Sequence, residues 1–289
     1  MRAVRFLLSN PSLLIGGLVV LVMAAIAILA PWITFYSPEQ MDMANRFSGP
    51  SAAHWLGTDN FGRDLWTRMA YGARVSLGIS FAAVICSAII GSTIGFVAGY
   101  FGGIVDNILM RITDAFLALP VLLLALALIA ALGTGVINII VALCAVFWTE
   151  YARVVRATTM SIRNRAFVDA ARIMGASHFY ILRREILPNA LGPIIVLATL
   201  GFGGALITES ALGFLGFGVA PPTPSWGWTL AYGTQYLRDA PWLSTVAGLA
   251  IMLTVLGFNL LGDGLRDALD TRRTPKPRST RRWWRRARP

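Results

Sequence analysis

Val75–Tyr100 reads VSLGISFAAVICSAIIGSTIGFVAGY and contains no charged side chain. A helix that crosses a membrane needs about 20 predominantly apolar residues, because the hydrocarbon core is about 30 Å thick and each helical residue rises about 1.5 Å. The stretch exceeds that minimum. It therefore predicts a membrane-spanning helix.

Glycines recur at every fourth position of this stretch, at Gly91, Gly95 and Gly99. Residues four apart lie on one face of a helix, and a face of small residues lets a second helix approach closely within a membrane. The alternative is a helix that is merely flexible. We expect a packing face.

Five further runs are apolar enough to span, and the whole chain is 56% hydrophobic but only 13% charged. In a soluble domain about a quarter of the residues are charged. The excess apolar surface of this chain must therefore face lipid. The prediction is an all-α polytopic membrane protein with six transmembrane helices. The other runs are Leu13–Ala30, Ala115–Leu132, a run that begins at Val136, Leu191–Val219 and Leu243–Leu261. We expect the first to stop at Pro31, and Pro120 can kink the second. The run from Val136 must include Thr149, Glu150 and Arg153 to be long enough to span.

The first run, preceded by Arg2 and Arg5, also has the outline of a signal peptide. Its apolar part is longer than the roughly 7 to 15 residues of a signal core, and Pro31 suits a cleavage site poorly. We therefore favour a transmembrane helix that is retained in the mature protein over a signal peptide that is cleaved off.

Basic residues set the expected orientation. The chain has 25 Lys+Arg against 14 Asp+Glu, and short loops rich in bases stay in the cytoplasm. With the N-terminus inside, most bases fall on the inner side, so both termini are predicted to be cytoplasmic. Because the bases lie between apolar runs, they indicate orientation and not nucleic-acid binding.

These features divide the chain into three parts. Residues 1–74 hold an N-terminal stub, the first span and an outer segment; residues 75–266 hold five spans and an inner loop at 156–189; residues 267–289 form a basic tail. The tail carries Trp283 and Trp284 among arginines. Two interpretations stay open for it: a disordered tail, or a clamp on anionic membrane lipid.

Catalytic motifs are missing from the sequence. Lys276 is the sole lysine and lies between prolines, so there is no P-loop, which needs a lysine beside its glycines to hold nucleotide phosphates. The only histidines, His54 and His178, are far apart and no Cys/His cluster is present, so neither a metal site nor a serine–histidine arrangement is expected. The chain is not predicted to be an enzyme, and no cofactor is expected in it.

The inner loop predicts a short amphipathic helix. Phe167, Ala170, Ala171 and Met174 fall at i, i+3, i+4 and i+7, which makes one apolar face, and Gly175 is a natural C-terminal stop. Pro188 is expected to close the loop before the fifth span. Such a helix can dock on lipid, on its own bundle or on a soluble partner, and periodicity alone does not choose.

Seven residues of this loop follow a known signature, with Ile186 one residue nearer the Leu–Pro pair than the pattern has it. Asp169, Ala170, Ala171, Gly175, Ile186, Leu187 and Pro188 resemble the E-A-A-x-x-x-G…I-x-L-P pattern, or EAA loop, of permease subunits of ATP-binding-cassette (ABC) importers, with aspartate in place of the usual glutamate. The resemblance implies that this is the coupling helix, which inserts into a groove on the ATPase subunit. The alternative is a helix lying on lipid headgroups.

A second block narrows the family. Gly57, Thr58, Asp59, Gly62, Arg63 and Asp64, followed by Tyr71–Leu77, resemble the L-G-T-D-x-x-G-R-D…Y-G-A-R-x-S-L block of dipeptide and oligopeptide permeases. The C-type subunit of that subfamily is also resembled by Phe6–Pro38, by Glu209 with Ala211–Gly218 and by Pro224–Gly227. The resemblance therefore covers nearly the whole chain. A short cluster of this kind can also be simply a capped turn.

The resemblance implies the fold of a type I ABC importer transmembrane domain in a bacterial inner membrane. It implies four kinds of partner: a homologous second permease subunit, ABC ATPase subunits that bind ATP and Mg, an external substrate-binding protein, and membrane lipid. Relatives that match equally well handle dipeptides, oligopeptides, glutathione or nickel chelates, and the sequence does not choose among them.

Glu209 lies within the fifth predicted span, where an ionisable group is costly and is a functional-site candidate by default. It can line the translocation path, pair with a base of the partner subunit or hydrogen-bond across the bundle. The rival function, an ion-coupled secondary transporter, would use it as a proton relay; a membrane-embedded enzyme ranks third. Trp226 and Trp228 are expected to be interfacial anchors in preference to ligand contacts.

Overall fold

The computed structural model describes residues 10–269. Arg2, Arg5, Lys276 and residues 270–289 of the basic tail, with Trp283 and Trp284, lie outside them. In the described part the regular structure is helical, apart from an isolated bridge between Thr58 and Asp64 and a short 3-10 turn. This confirms the all-α class.

The helices follow one another with short connections, except for two longer segments at what we expect to be the outer side. They are α1 (Pro11–Ile33), α2 (Leu65–Phe101), α3 (Gly103–Leu117), α4 (Val121–Leu132), α5 (Val136–Arg163), α6 (Ala166–Ile173), α7 (His178–Phe214), α8 (Trp226–Thr234) and α9 (Trp242–Leu269).

Within residues 10–269, five helices are long and apolar enough to cross a membrane: α1, α2, α5, α7 and α9. A sixth span exists only if α3 and α4 count as one, and they meet at 88°. The predicted third span over Ala115–Leu132 is thus broken near Pro120, and its first part begins earlier, at Gly103. Pro120 lacks an N–H and disfavours helical geometry in the residue before it, so the chain turns there instead of kinking mildly.

α3 is amphipathic and is tied to α5 by ion pairs. Its exposed side carries Ile104, Ile108 and Ile112 at spacing four. On the other side Asp106 pairs with Arg156, and farther along Asp114 pairs with Arg153 at 2.6 Å. α3 is thus held beside the end of α5 that leads into the inner loop.

The glycines of α2 form the predicted packing face, and the helix they meet is α5. A Cβ atom added at Gly95 would lie 2.6 Å from the carbonyl oxygen of Ala152, and one added at Gly99 would lie 2.7 Å from that of Arg156. Gly91 similarly faces the carbonyl of Trp148. The two backbones touch along this line, as small residues allow in membranes.

Three further boundaries differ from the predictions. α1 runs through Pro31 to Ile33, where the Thr34 hydroxyl donates to the Ala30 carbonyl. α7 ends at Phe214 and not at Val219, because Gly216 adopts φ +85° and the Phe217 N–H turns back to the Leu212 carbonyl. α9 extends beyond Leu261 to Leu269.

Gly95 gives a direct test of the α2–α5 contact. Gly95→Ala should lower the free energy of unfolding by about 1–3 kcal/mol, since the added methyl group overpacks against the α5 backbone. Thermal unfolding of the purified chain in detergent measures it. Gly78→Ala, in the same helix with nothing within 4 Å of the new Cβ, is the matched control, and equal melting of the two variants would contradict the packing face.

Candidate functional site

α6 is a helix of eight residues with well-defined ends. Gly175 stops it with φ +79°, a left-handed conformation that costs glycine little. The Gly175 N–H donates to the Arg172 carbonyl and the Ala176 N–H to the Ala171 carbonyl, both at 3.0 Å, which satisfies the free carbonyls of the last turn. The prediction of a glycine stop is confirmed.

The apolar residues of α6 do not share one face. Val168 and Ala171 are buried and pack with Ile181 and Ile186 of α7. Phe167, Ile173 and Met174 point away from the bundle and are 38%, 87% and 80% exposed. The predicted single face, which grouped Ala171 with Phe167, Ala170 and Met174, was therefore wrong: Ala171 anchors α6 to its own chain, whereas Ala170 is exposed.

We call Phe167, Ile173 and Met174 the inner apolar surface. Beside it, Asp169 forms a solvent-exposed ion pair with Arg172 at 3.3 Å, which contributes little to stability. Sequence periodicity missed Ile173, although it is the most exposed of the three. An α-helix that presents bulky apolar side chains to water marks a binding surface or a membrane contact.

Leu187 and Pro188 lie inside α7 and do not separate the loop from the span. The helix begins at His178 and is π-helical from Ile181 to Ile186. Local π-helical winding is a known accommodation to proline in membrane helices. Leu187 is half-buried and Pro188 exposed, so the expectation that Pro188 closes the loop was wrong.

The outer motif is a folded turn ahead of α2. Gly57 and Gly62 have φ values of +82° and +71°, and a Cβ on either would collide with neighbouring backbone. The Thr58 hydroxyl donates to the Asn45 carbonyl and accepts from the Ser48 N–H. The motif thus joins the outer segment into one compact unit.

The three charged residues of the motif, Asp59, Arg63 and Asp64, are all buried. Asp59 accepts hydrogen bonds from the backbone N–H groups of Phe61 and Arg63 and pairs with the Arg63 guanidinium at 2.7 Å. Asp64 caps α2, accepting from the Thr67 N–H at 2.8 Å, and contacts His54 Nδ1 at 2.9 Å. These bonds fit the capped-turn interpretation and fix the outer end of α2.

Glu209, a residue of α7, is 1% exposed and faces α2. Its carboxylate accepts hydrogen bonds from the Ser76 and Ser210 hydroxyls, both at 3.3 Å. The Ser76 hydroxyl oxygen in turn accepts a hydrogen bond from the backbone N–H of Trp226 at 3.2 Å. This arrangement fits a hydrogen bond across the bundle; a role for Glu209 in lining the path stays a prediction. Sequence alone does not indicate Ser76 as its partner.

Trp226 is not an interfacial anchor. Its side chain is buried, and the indole N–H donates to the Met69 carbonyl of α2 at 3.0 Å. Trp228 is half-buried. α8 is therefore docked on α2 at the end that carries the outer motif, while the inner apolar surface lies beside the opposite end.

Family models match two parts of the chain. Residues 91–275 match the model described as binding-protein-dependent transport system inner membrane component. The chain belongs to this family. Residues 1–50 match the N-terminal transmembrane domain of oligopeptide transport permease C, in agreement with the resemblance of the N-terminal run.

Curated relatives align over almost the full length. The dipeptide transport system permease protein DppC of Alkalihalophilus pseudofirmus is 45% identical over 93% of this chain and 88% of the relative. The glutathione transport system permease protein GsiD of Pectobacterium atrosepticum is 43% identical over 88% and 85%. The probable D,D-dipeptide transport system permease protein DdpC of Escherichia coli is 38% identical over 93% and 90%.

Solved structures agree on the fold. Two inward-facing structures of the MetNI methionine ABC transporter match with TM-scores of 0.55 and 0.58, at 21% and 20% identity, and cover 68% and 70% of this chain and 94% and 95% of theirs. The chain is thus a membrane-embedded permease subunit of an ABC importer, and the secondary-transporter alternative is set aside.

Glu209 can be tested with two substitutions. Glu209→Ala should lower the free energy of unfolding by about 1–3 kcal/mol, because the buried Ser76 hydroxyl loses its acceptor. Glu209→Gln keeps an oxygen for that bond and should unfold and transport almost normally. Thermal unfolding in detergent and uptake by reconstituted vesicles measure the two effects. Loss of uptake in Glu209→Gln with unchanged unfolding would show instead that the charge serves the path.

Proposed function

We propose that this chain forms half of the translocation path of an ATP-driven peptide importer and couples that path to a separate ATPase subunit. The observation that carries the coupling part is the inner apolar surface, which stands out from the bundle on a short helix fixed at both ends. The substrate part rests on the relatives, whose names include dipeptide, D,D-dipeptide and glutathione transport. These substrates share peptide-like backbones with charged ends.

The occupant of the inner apolar surface is proposed to be an ATPase subunit that binds ATP and Mg. Burying an isoleucine or methionine side chain contributes about 1.5–3 kcal/mol of binding free energy. Ile173 and Met174 can therefore hold α6 in an apolar groove of a partner protein. The sequence contains no P-loop, so the nucleotide has to be bound by a partner.

The complete transporter is proposed to contain a second, homologous permease and an external binding protein. Both termini then lie in the cytoplasm with α6, and the outer motif and α8 face the binding protein on the other side. Nucleotide binding closes the ATPase subunits, α6 follows that movement, and the two permeases switch between inward-facing and outward-facing states. The bundle is bistable, and its equilibrium is biased through α6.

Ile173→Asp tests the docking surface. A carboxylate in an apolar groove should reduce the ATPase subunit recovered with the tagged chain about tenfold or more, because the burial energy of isoleucine is lost. Quantitative mass spectrometry of the complex purified in mild detergent measures it. Met43→Asp, an exposed methionine of the outer segment, is the control. Normal recovery from Ile173→Asp would contradict docking through α6.

Gly175 tests whether the end of α6 matters for transport. Gly175→Ala should reduce ATP-driven uptake of a radiolabelled dipeptide severalfold in reconstituted vesicles, because the left-handed backbone costs about 1–2 kcal/mol for a residue with a Cβ. Gly175→Asn, which tolerates that conformation better, should retain more uptake. Nothing lies within 4 Å of an added Cβ atom, so the alanine variant meets no clash. Uptake by Gly175→Ala equal to that of the wild type would show that the backbone stop is unimportant.

A further inference from the structure

Tyr100 lies in the last turn of α2 and contacts the inner loop with its side chain. The side chain is almost fully buried, with the residue 5% exposed, and belongs to the same apolar cluster as Val168 and Ala171 of α6. Its hydroxyl lies 2.8 Å from Nδ1 of His178, the first residue of α7. Tyr100 is thus hydrogen-bonded to the segment that follows α6.

Arginines contact the same turn from two other positions. Arg163, at the end of α5, donates to the carbonyls of Gly99 and Tyr100 at 3.2 and 2.9 Å. These carbonyls lack helical partners, and a cation at the C-terminus of a helix is favourable. The Arg172 guanidinium lies 5.8 Å from the centre of the Tyr100 ring. The end of α2 therefore contacts residues before, within and after α6.

The Tyr100–His178 bond differs from the apolar contacts in being directional, and it joins a buried tyrosine to an exposed histidine. Apolar packing of Val168 and Ala171 holds α6 close to the bundle but permits sliding, whereas a hydrogen bond fixes both distance and angle. It is the contact best suited to fix the angle between the inner loop and α2.

α2 is long enough to carry a displacement across the membrane. Its 37 residues extend from Leu65, which follows the capping Asp64, to Phe101, which is about 55 Å at 1.5 Å per residue. At the outer end it contacts Trp226 of α8 and, through Ser76, Glu209 of α7. One continuous helix therefore connects the inner loop to the outer segment.

We infer that Tyr100 and His178 are positioning residues that link the movement of α6 to α2. This inference rests on the proposed function, because α6 has to be displaced by an ATPase subunit. Removing the hydrogen bond should leave the ATPase subunit attached and active. The conformational change of the permease should then be less tightly coupled to that of the ATPase subunit. Fewer substrate molecules then cross for each ATP hydrolysed.

The test uses the complete complex with its binding protein, reconstituted in vesicles and supplied with a radiolabelled dipeptide. Tyr100→Phe removes only the hydroxyl and should lower the dipeptide imported per ATP hydrolysed about fivefold, the size that one hydrogen bond allows. ATPase recovery and thermal unfolding should change little. Tyr71→Phe, which removes a hydroxyl near the other end of α2, is the control and should have no effect.

His178 completes the experiment. His178→Ala should reproduce the loss, and His178→Asn, which places a polar atom near the position of Nδ1, should restore part of it. The double variant Tyr100→Phe/His178→Ala should be no worse than either single variant, because both remove the same bond. An unchanged import ratio, or additive losses, would overturn the positioning role alone. Absence of any ATPase subunit from the wild-type preparation would overturn the proposed function and this inference with it.

Discussion

The backbone contact between α2 and α5 is the constraint on which the remaining structure depends. Gly91, Gly95 and Gly99 place the carbonyls of α5 directly against α2. α2 begins at the outer motif and α5 leads into α6, so this contact sets the position of both functional ends of the molecule. Because lipid is as apolar as leucine, close backbone packing of this kind replaces the hydrophobic effect as the force that joins the helices.

Much of this arrangement could be predicted from local features of the sequence. Uninterrupted apolar runs identify the long spans, since helical backbone is the only open-ended structure that satisfies its polar groups in lipid. The spacing of Gly91, Gly95 and Gly99 predicts a packing face, and Gly175 predicts the end of α6, because each depends on a single helix. The motif residues between Gly57 and Asp64 bond mainly to one another and to nearby segments, so a capped turn was also foreseeable.

Features that depend on contacts between residues far apart in the sequence could not be predicted from it. Periodicity assigned Ala171 to the wrong side of α6, because the burial of Val168 and Ala171 is decided by α7 and not by α6 itself. Ser76 and Glu209 are separated by 133 positions, and no local pattern connects them. Pro120 indicated a disturbance of the helix, but a proline alone does not predict the size of the bend, 88°.

The bend at Pro120 also has a consequence for the lipid around the protein. α4 has 12 residues and extends about 18 Å, much less than the hydrocarbon thickness of about 30 Å. If α4 stands upright, α3 lies along the inner boundary with Ile104, Ile108 and Ile112 toward the acyl chains, as an interfacial helix does. The bilayer next to this pair must then thin or be replaced by neighbouring protein, at a cost of a fraction of a kcal/mol for each ångström of mismatch. The thickness of the bilayer then influences the position of this permease in the membrane, independently of substrate and nucleotide.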